Sequence, residues 1–156
     1  MTDQPAGDDR ASRWPWPPII YAVALTLMWW LDWFFPFDLP DGDWRPWAVF
    51  AAIGLGIGIA GFSYFQVIGT TFNPTGPATV LATGGIYRFT RNPMYLGGCV
   101  FFLGLAIMVR SGWLLLMVPA IVVALQKLAI EPEEAYLTRR FGAPYTAYCD
   151  RVRRWI

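Results

Sequence analysis

Four long apolar stretches constrain this chain more than any other feature. They run over about 18–37, 47–69, 94–109 and 113–130. A helix needs about 20 largely apolar residues to cross the hydrocarbon of a bilayer. Three stretches reach or approach that length, and the third, of 16 residues, crosses with tilt or local thinning or starts earlier, in the loop before it. Only 15% of the residues are charged and 56% are hydrophobic, against about 25% and 45–50% in a soluble domain. These features predict an all-α, polytopic membrane protein. It has four transmembrane helices, a cytoplasmic loop and an amphipathic C-terminal helical tail.

Basic residues set the orientation of such a bundle. Four spans put the N-terminal tail, the loop 70–93 and the C-terminal tail on one side. Arg10, Arg13, Arg88, Arg91, Lys127, Arg139, Arg140, Arg151, Arg153 and Arg154 belong to that side, and only Arg45 and Arg110 to the other. Both termini are therefore expected in the cytoplasm, and a bacterial inner membrane is the expected location. Residues 1–16 read as a disordered tail, because three Asp against two Arg before residue 14 do not make a cleaved signal. Residues 17–156 read as one membrane domain, with 131–156 as its tail. Trp14, Trp16, Trp44, Trp47 and Trp113 fall near span ends, as interfacial anchors do.

Two intramembrane features have plain explanations. Asp32 lies near the outer end of the first span among Trp29, Trp30 and Trp33, where its carboxylate snorkels to the interface. The segment Gly56–Gly61, GIGIAG, matches a dinucleotide-binding pattern but sits mid-span. That pattern needs a strand before it. Gly54, Gly58 and Gly61 instead form a small-residue face for close helix packing.

The chain has no histidine and two cysteines, Cys99 and Cys149. No zinc-ligand spacing or histidine-based nucleophile system is available, so no metal is expected. One cysteine lies in an apolar stretch and the other in the basic tail, so no disulfide is expected. A net charge of +1 gives no reason to expect nucleic acid as a partner.

The chemistry-bearing residues collect in two polar clusters. The first is Gly84–Gly97, GGIYRFTRNPMYLG, at the end of a Pro- and Gly-rich loop. Pro93 suits the first position of the third helix, with Asn92 as its cap. Such a helix start, with Arg91 beside it, suits an anionic ligand group. Equally, Arg88 and Arg91 suit membrane anchors. The second cluster begins Glu131-Pro132-Glu133-Glu134. Pro and acids fit the first turn of a helix, yet carboxylates beside a membrane must find water or a partner. Leu137, Phe141, Tyr145, Tyr148, Val152 and Trp155 recur at helical spacing, with a bend at Gly142-Ala143-Pro144. This face lies on the membrane or caps the bundle, and Arg139, Arg140, Arg151 and Arg154 on the other face are expected to meet lipid headgroups.

Taken together, the run Gly85–Gly97 entering a helix, an apolar hairpin, and the run Glu133–Tyr148 resemble the integral-membrane methyltransferases of the isoprenylcysteine carboxyl methyltransferase and phospholipid methyltransferase superfamily. The resemblance covers about residues 70–156. One departure is Asn92, where many members carry histidine. The resemblance implies S-adenosylmethionine as methyl donor, held at the cytosolic end of the last two helices and the tail. It implies donor contacts by Tyr87, Arg91, Asn92, Pro93, Tyr95, Leu96, Gly97, Glu133 and Glu134, with Arg91 and Glu134 carrying most of the catalytic burden. Arg91 suits the donor carboxylate, Glu133 or Glu134 its amine or ribose, and Tyr87 or Tyr95 its sulfonium or adenine. The acceptor is expected to be a membrane lipid or lipophilic small molecule reached from the bilayer: a phospholipid amine, a lipid-linked carboxylate or a hydrophobic thiol. Methyl transfer is an in-line displacement that positioning can promote without a metal. The rival expectations are an NADPH-dependent membrane reductase of the related sterol reductase type and a non-catalytic membrane partner that keeps the fold.

Overall fold

The computed structural model describes residues 16–69 and 80–156. The N-terminal tail and the first half of the loop, with Thr75 and its Pro-rich neighbours, lie outside the described residues. Helix α1 spans Trp16–Phe34 and α2 spans Arg45–Val67. A 3-10 turn at Gly85–Arg88 precedes α3, Pro93–Met108. Then come α4, Gly112–Leu125, a π-helical segment at Gln126–Ile130, α5, Glu131–Phe141, and α6, Ala143–Cys149. Among the described residues there is no strand, only an isolated bridge between Asp38 and Ser111.

Local sequence explains the ends. Helix α1 stops at Phe34 rather than at Phe37, because Pro36 disfavours helical geometry at the residue before it. Pro46 and Pro93 fall in the first turns of α2 and α3, where a missing N–H costs nothing. Asn92 is not the side-chain cap expected of it; its side chain turns away from the helix start. Ser111 does cap α4, its Oγ accepting from the Leu114 N–H at 3.1 Å.

The largest departure concerns Glu131. It was expected to open a separate tail helix after a fourth span ending at residue 130. Instead Gly112–Phe141 is one continuous 30-residue helix, so the carboxylates sit mid-helix and the helix-start explanation fails. Pro132 has no N–H and its ring crowds the preceding turn. The π segment absorbs this: the Glu131 N–H donates to the Gln126 carbonyl, five residues back. One extra residue in a turn rotates everything after it by about 100°. Glu133 and Glu134 owe their direction to that rotation.

Helices α2 and Gly112–Phe141 are each long and apolar enough to cross a membrane, and α3 is apolar but 16 residues long. Their outward faces are greasy: Val49, Ile53, Ile59, Leu116 and Val123 are all exposed. The chain thus has the surface of an integral membrane protein.

Helix α2 lies along α3, α3 against α4, and α4 against α1. Small residues set the first contact. A Cβ on Gly97 would strike the Gly54 carbonyl and the Gly58 N–H, and one on Gly104 would strike Ala51 and the Trp47 carbonyl. The Gly54, Gly58 and Gly61 face is therefore a packing face, as its spacing predicts. The core runs through Phe102, Ala106, Leu114, Ile121, Leu125 and Ile130.

Candidate functional site

The two polar clusters meet at one end of the bundle. Tyr95, in the first turn of α3, donates its hydroxyl to Glu133 Oε2 at 3.0 Å. Arg91 Nη1 lies 3.3 Å from Glu134 Oε1. Arg154 grips the same carboxylate in a fork, Nε to Oε1 at 3.0 Å and Nη2 to Oε2 at 2.6 Å. Arg91 Nη1 also donates to Cys149 Sγ at 2.6 Å. Its Nε is buried without a hydrogen-bond partner.

The tail closes over the 85–92 segment and caps the bundle. Tyr148 donates its hydroxyl to the Tyr87 carbonyl at 2.7 Å. The Arg91 N–H donates to the Arg153 carbonyl at 3.0 Å. Asn92 Nδ2 and Thr90 Oγ1 both donate to the Arg154 carbonyl, at 2.9 and 3.3 Å. Tyr145, Tyr148 and Val152 form a small core with Leu81, Leu137 and Phe141. From the other side, Tyr64 and Phe65 of α2 pack on the Tyr87 ring, with centroids 5.7 and 5.5 Å away. Gly84 and Gly85 lie under Tyr64, where a side chain on either would collide with its ring or hydroxyl.

The carboxylates divide by their partners. Glu134 sits between two guanidinium groups and is neutralised by them. Glu131 faces outward to Lys127, whose hydrogen bond holds its carboxyl below the usual range. Glu133 forms no ion pair among the described residues. Burial pushes its carboxyl above the usual range, Glu134 adds to that, and the Tyr95 hydroxyl opposes it. Glu133 is therefore the carboxyl of the site without a counter-ion among the described residues, a distinction the sequence leaves open. Tyr87 is likewise pushed up by burial, with Glu133 and Tyr148 adding to the effect.

The arginines also divide. Arg88 is exposed beside Phe89, which is 75% exposed, as suits a membrane anchor. Arg91 is inside, with its side chain 15% exposed. Arg154, expected to face lipid, instead belongs to the site; a carboxylate partner won over headgroup contact. Its guanidinium is held further into the charged range by the Glu134 hydrogen bonds. Pro93 is fully buried. Gly97 is taken up by the α2 contact, and Leu96 is half-buried one residue beyond Tyr95. Sequence reasoning missed Arg154, Cys149 and Tyr148 as site neighbours. The tyrosine spacing was the available signal, since a tail that caps a bundle brings its inward polar groups with it.

Two cations, one ion-paired carboxylate, one carboxyl without a counter-ion among the described residues, and the phenols of Tyr87, Tyr95 and Tyr148 thus converge from the 85–92 segment, α3, α5 and the tail. No curated protein sequence matches the chain. The eukaryotic intramembrane Ras methyltransferase isoprenylcysteine carboxyl methyltransferase has a similar fold. The two are 24% identical with a TM-score of 0.53, over 93% of this chain and 53% of that one. The chain thus spans about half the length of that enzyme. Residues 44–144 match the model of the phospholipid methyltransferase family, which covers α2 to the start of α6. On that match, the chain belongs to the phospholipid methyltransferase family.

Proposed function

We propose that the protein transfers a methyl group from S-adenosylmethionine to a lipid acceptor that enters from the bilayer. One observation carries this reading. Arg91 and Tyr95 in one cluster and Glu133 and Glu134 in the other, far apart in sequence, meet within hydrogen-bond and ion-pair distance. The family supports methyl transfer as the chemistry.

The residues fit the donor. The Arg91 Nε is a buried donor without a partner, a state that costs about 1–3 kcal/mol unless an acceptor satisfies it. The donor carboxylate is such an acceptor. Glu133, without a counter-ion, suits the donor amine. The donor supplies a methyl group on a sulfonium, open to in-line attack. The protein supplies position. Glu134 and Arg154 orient Arg91, Tyr95 orients Glu133, and the Tyr148 bond to the Tyr87 carbonyl keeps the loop shut against water. Holding reactants in a near-attack geometry accounts for much of the rate in such displacements.

The proposed topology has four spans, α1 to α4, with the site in the cytosol. A cysteine introduced at Asp41 is then labelled only from outside, and one at Asp150 only from inside. The reverse pattern removes the site from the cytosolic donor pool. Binding is tested by calorimetric titration of the purified protein with S-adenosylhomocysteine. Saturable binding that falls in Arg91→Lys supports the reading, and no binding to the wild type refutes it.

A further inference from the structure

Pro132 sits inside a continuous 30-residue helix, where a proline is ordinarily a fault. It lacks the N–H that continues the helix, and in a plain α-helix its ring would crowd the carbonyl of Leu128, four residues back. The chain accommodates it with the π segment Gln126–Ile130. Single-turn π bulges are rare and are frequent at functional sites. This one lies immediately before Glu133 and Glu134.

The end of the chain matches the bulged register and no other. Trp155, packed against the core of the bundle, donates its indole N–H to Gln126 Oε1 at 3.4 Å. Its neighbour Arg154 forks onto Glu134. Two adjacent tail residues thus hold two side chains that stand eight residues apart on one helix. At about 100° per residue, eight steps of a plain α-helix leave those side chains about 80° apart in direction. The π turn removes one step, which leaves about 20°. Only the bulged helix offers Gln126 and Glu134 to Arg154 and Trp155 from one face. Gln126 Nε2 also donates to Glu131 Oε1 at 3.3 Å, so the first residue of the π segment is tied to the residue just beyond it.

We infer that Pro132 and Trp155 are positioning residues of the donor site: Pro132 disfavours the plain α register, Trp155 clasps the bulged one through Gln126, and together they aim Glu133 at Tyr95 and Glu134 at Arg91. This role rests on the methyl-transfer reading above and adds what sets the direction of its two carboxylates. Both residues act on the donor through others. Proline in a helix interior ordinarily destabilises the helix; here the same strain removes a competing register. A molecule in that register lacks the site, and donor affinity falls in proportion to the fraction that adopts it.

The test is a calorimetric titration of the full chain in detergent with S-adenosylhomocysteine, beside chemical denaturation. Pro132→Ala restores the missing N–H and frees the helix to take the plain register. It is expected to resist denaturant at least as well as the wild type and to bind about tenfold more weakly, as when about nine molecules in ten leave the competent register. Deleting Leu128, an exposed residue of the π segment, from Pro132→Ala should bring binding back to within about threefold of wild type, because Gln126 and Glu134 then stand seven steps apart and a plain α-helix puts them on one face. A proline that serves only helix stability gives no such rescue. Wild-type affinity in folded Pro132→Ala overturns the inference, and so does weak binding that the deletion fails to restore. If Pro132→Ala does not fold, Trp155→Phe decides: it keeps an aromatic ring and loses the N–H, and binding about threefold weaker is expected from the loss of one neutral hydrogen bond, whereas wild-type affinity overturns the inference. These outcomes leave the methyl-transfer reading standing; a wild type that binds no S-adenosylhomocysteine overturns both.

Discussion

Both ends of the bundle carry charged loops, and they use charge in opposite ways. At one end Arg110 pairs with Asp41 at 2.6 Å, but the two side chains are 46% and 91% exposed. The turn there is held by the backbone, with the Leu39 N–H donating to the Arg110 carbonyl and the Gly112 N–H to the Phe37 carbonyl, both at 2.8 Å. At the other end Arg91 and Glu134 are 15% and 18% exposed, and a second arginine joins them. An exposed pair is screened and adds little. An enclosed set of charges raises the cost of every unpaired member. The first end closes a turn; the second holds a carboxyl without a counter-ion among the described residues and an unsatisfied guanidinium nitrogen, the two groups to which the proposal assigns the amine and carboxylate of the donor.

Five substitutions separate the ends. Glu134→Ala should have the largest effect. It leaves Arg91 and Arg154 facing each other and should cost about 2–4 kcal/mol of stability, somewhat below the loss for a wholly buried pair because Arg154 is partly exposed. Chemical denaturation reads it, and S-adenosylhomocysteine binding should be lost as well. Glu133→Gln should weaken that binding about 10- to 100-fold through the loss of a charge-assisted contact. Stability at neutral pH should not fall, because a buried carboxyl that resists ionisation is being replaced by a neutral group. Arg91→Lys keeps the charge and loses the guanidinium fork; about tenfold weaker binding is expected, with a milder effect for Arg88→Lys. Asp41→Asn at the opposite end should change stability by less than about 1 kcal/mol and leave donor affinity alone. Equal effects at both ends would erase the distinction between them.

Much of this arrangement was readable in the sequence because it follows from short-range rules. Apolar length marked the helices, Pro46 and Pro93 marked starts, and the spacing of Gly54, Gly58 and Gly61 marked a packing face. The two motifs were legible too, although no local rule dictates that they meet. What stayed hidden depended on direction. Pro132 looks like a helix start until the π segment ahead of it is seen, and only that segment turns Glu133 toward Tyr95 and Glu134 toward the arginines. Asn92 looks like a cap, but the carbonyl of Arg154, far along the chain, is its partner. Arg154 itself looks like a lipid-facing charge, since nothing in the tail announces that it folds back on α5.

The most direct test of the proposed site is the pH dependence of S-adenosylhomocysteine binding to the wild type and to Glu133→Gln. Burial raises the Glu133 carboxyl above the usual range in the folded protein. The stability linked to it is therefore greatest below the ordinary carboxylate pKa and is lost as pH rises through the raised one. A cationic amine binds the ionised form, so donor affinity should run the other way. It should be highest at neutral pH and fall as pH drops through the raised value, up to tenfold per unit, beginning above the usual carboxylate range. Glu133→Gln should bind weakly at every pH and lose that acid limb. A wild type and a Glu133→Gln variant with the same affinity and the same pH profile would contradict the assignment of Glu133 as the carboxyl that receives the donor amine.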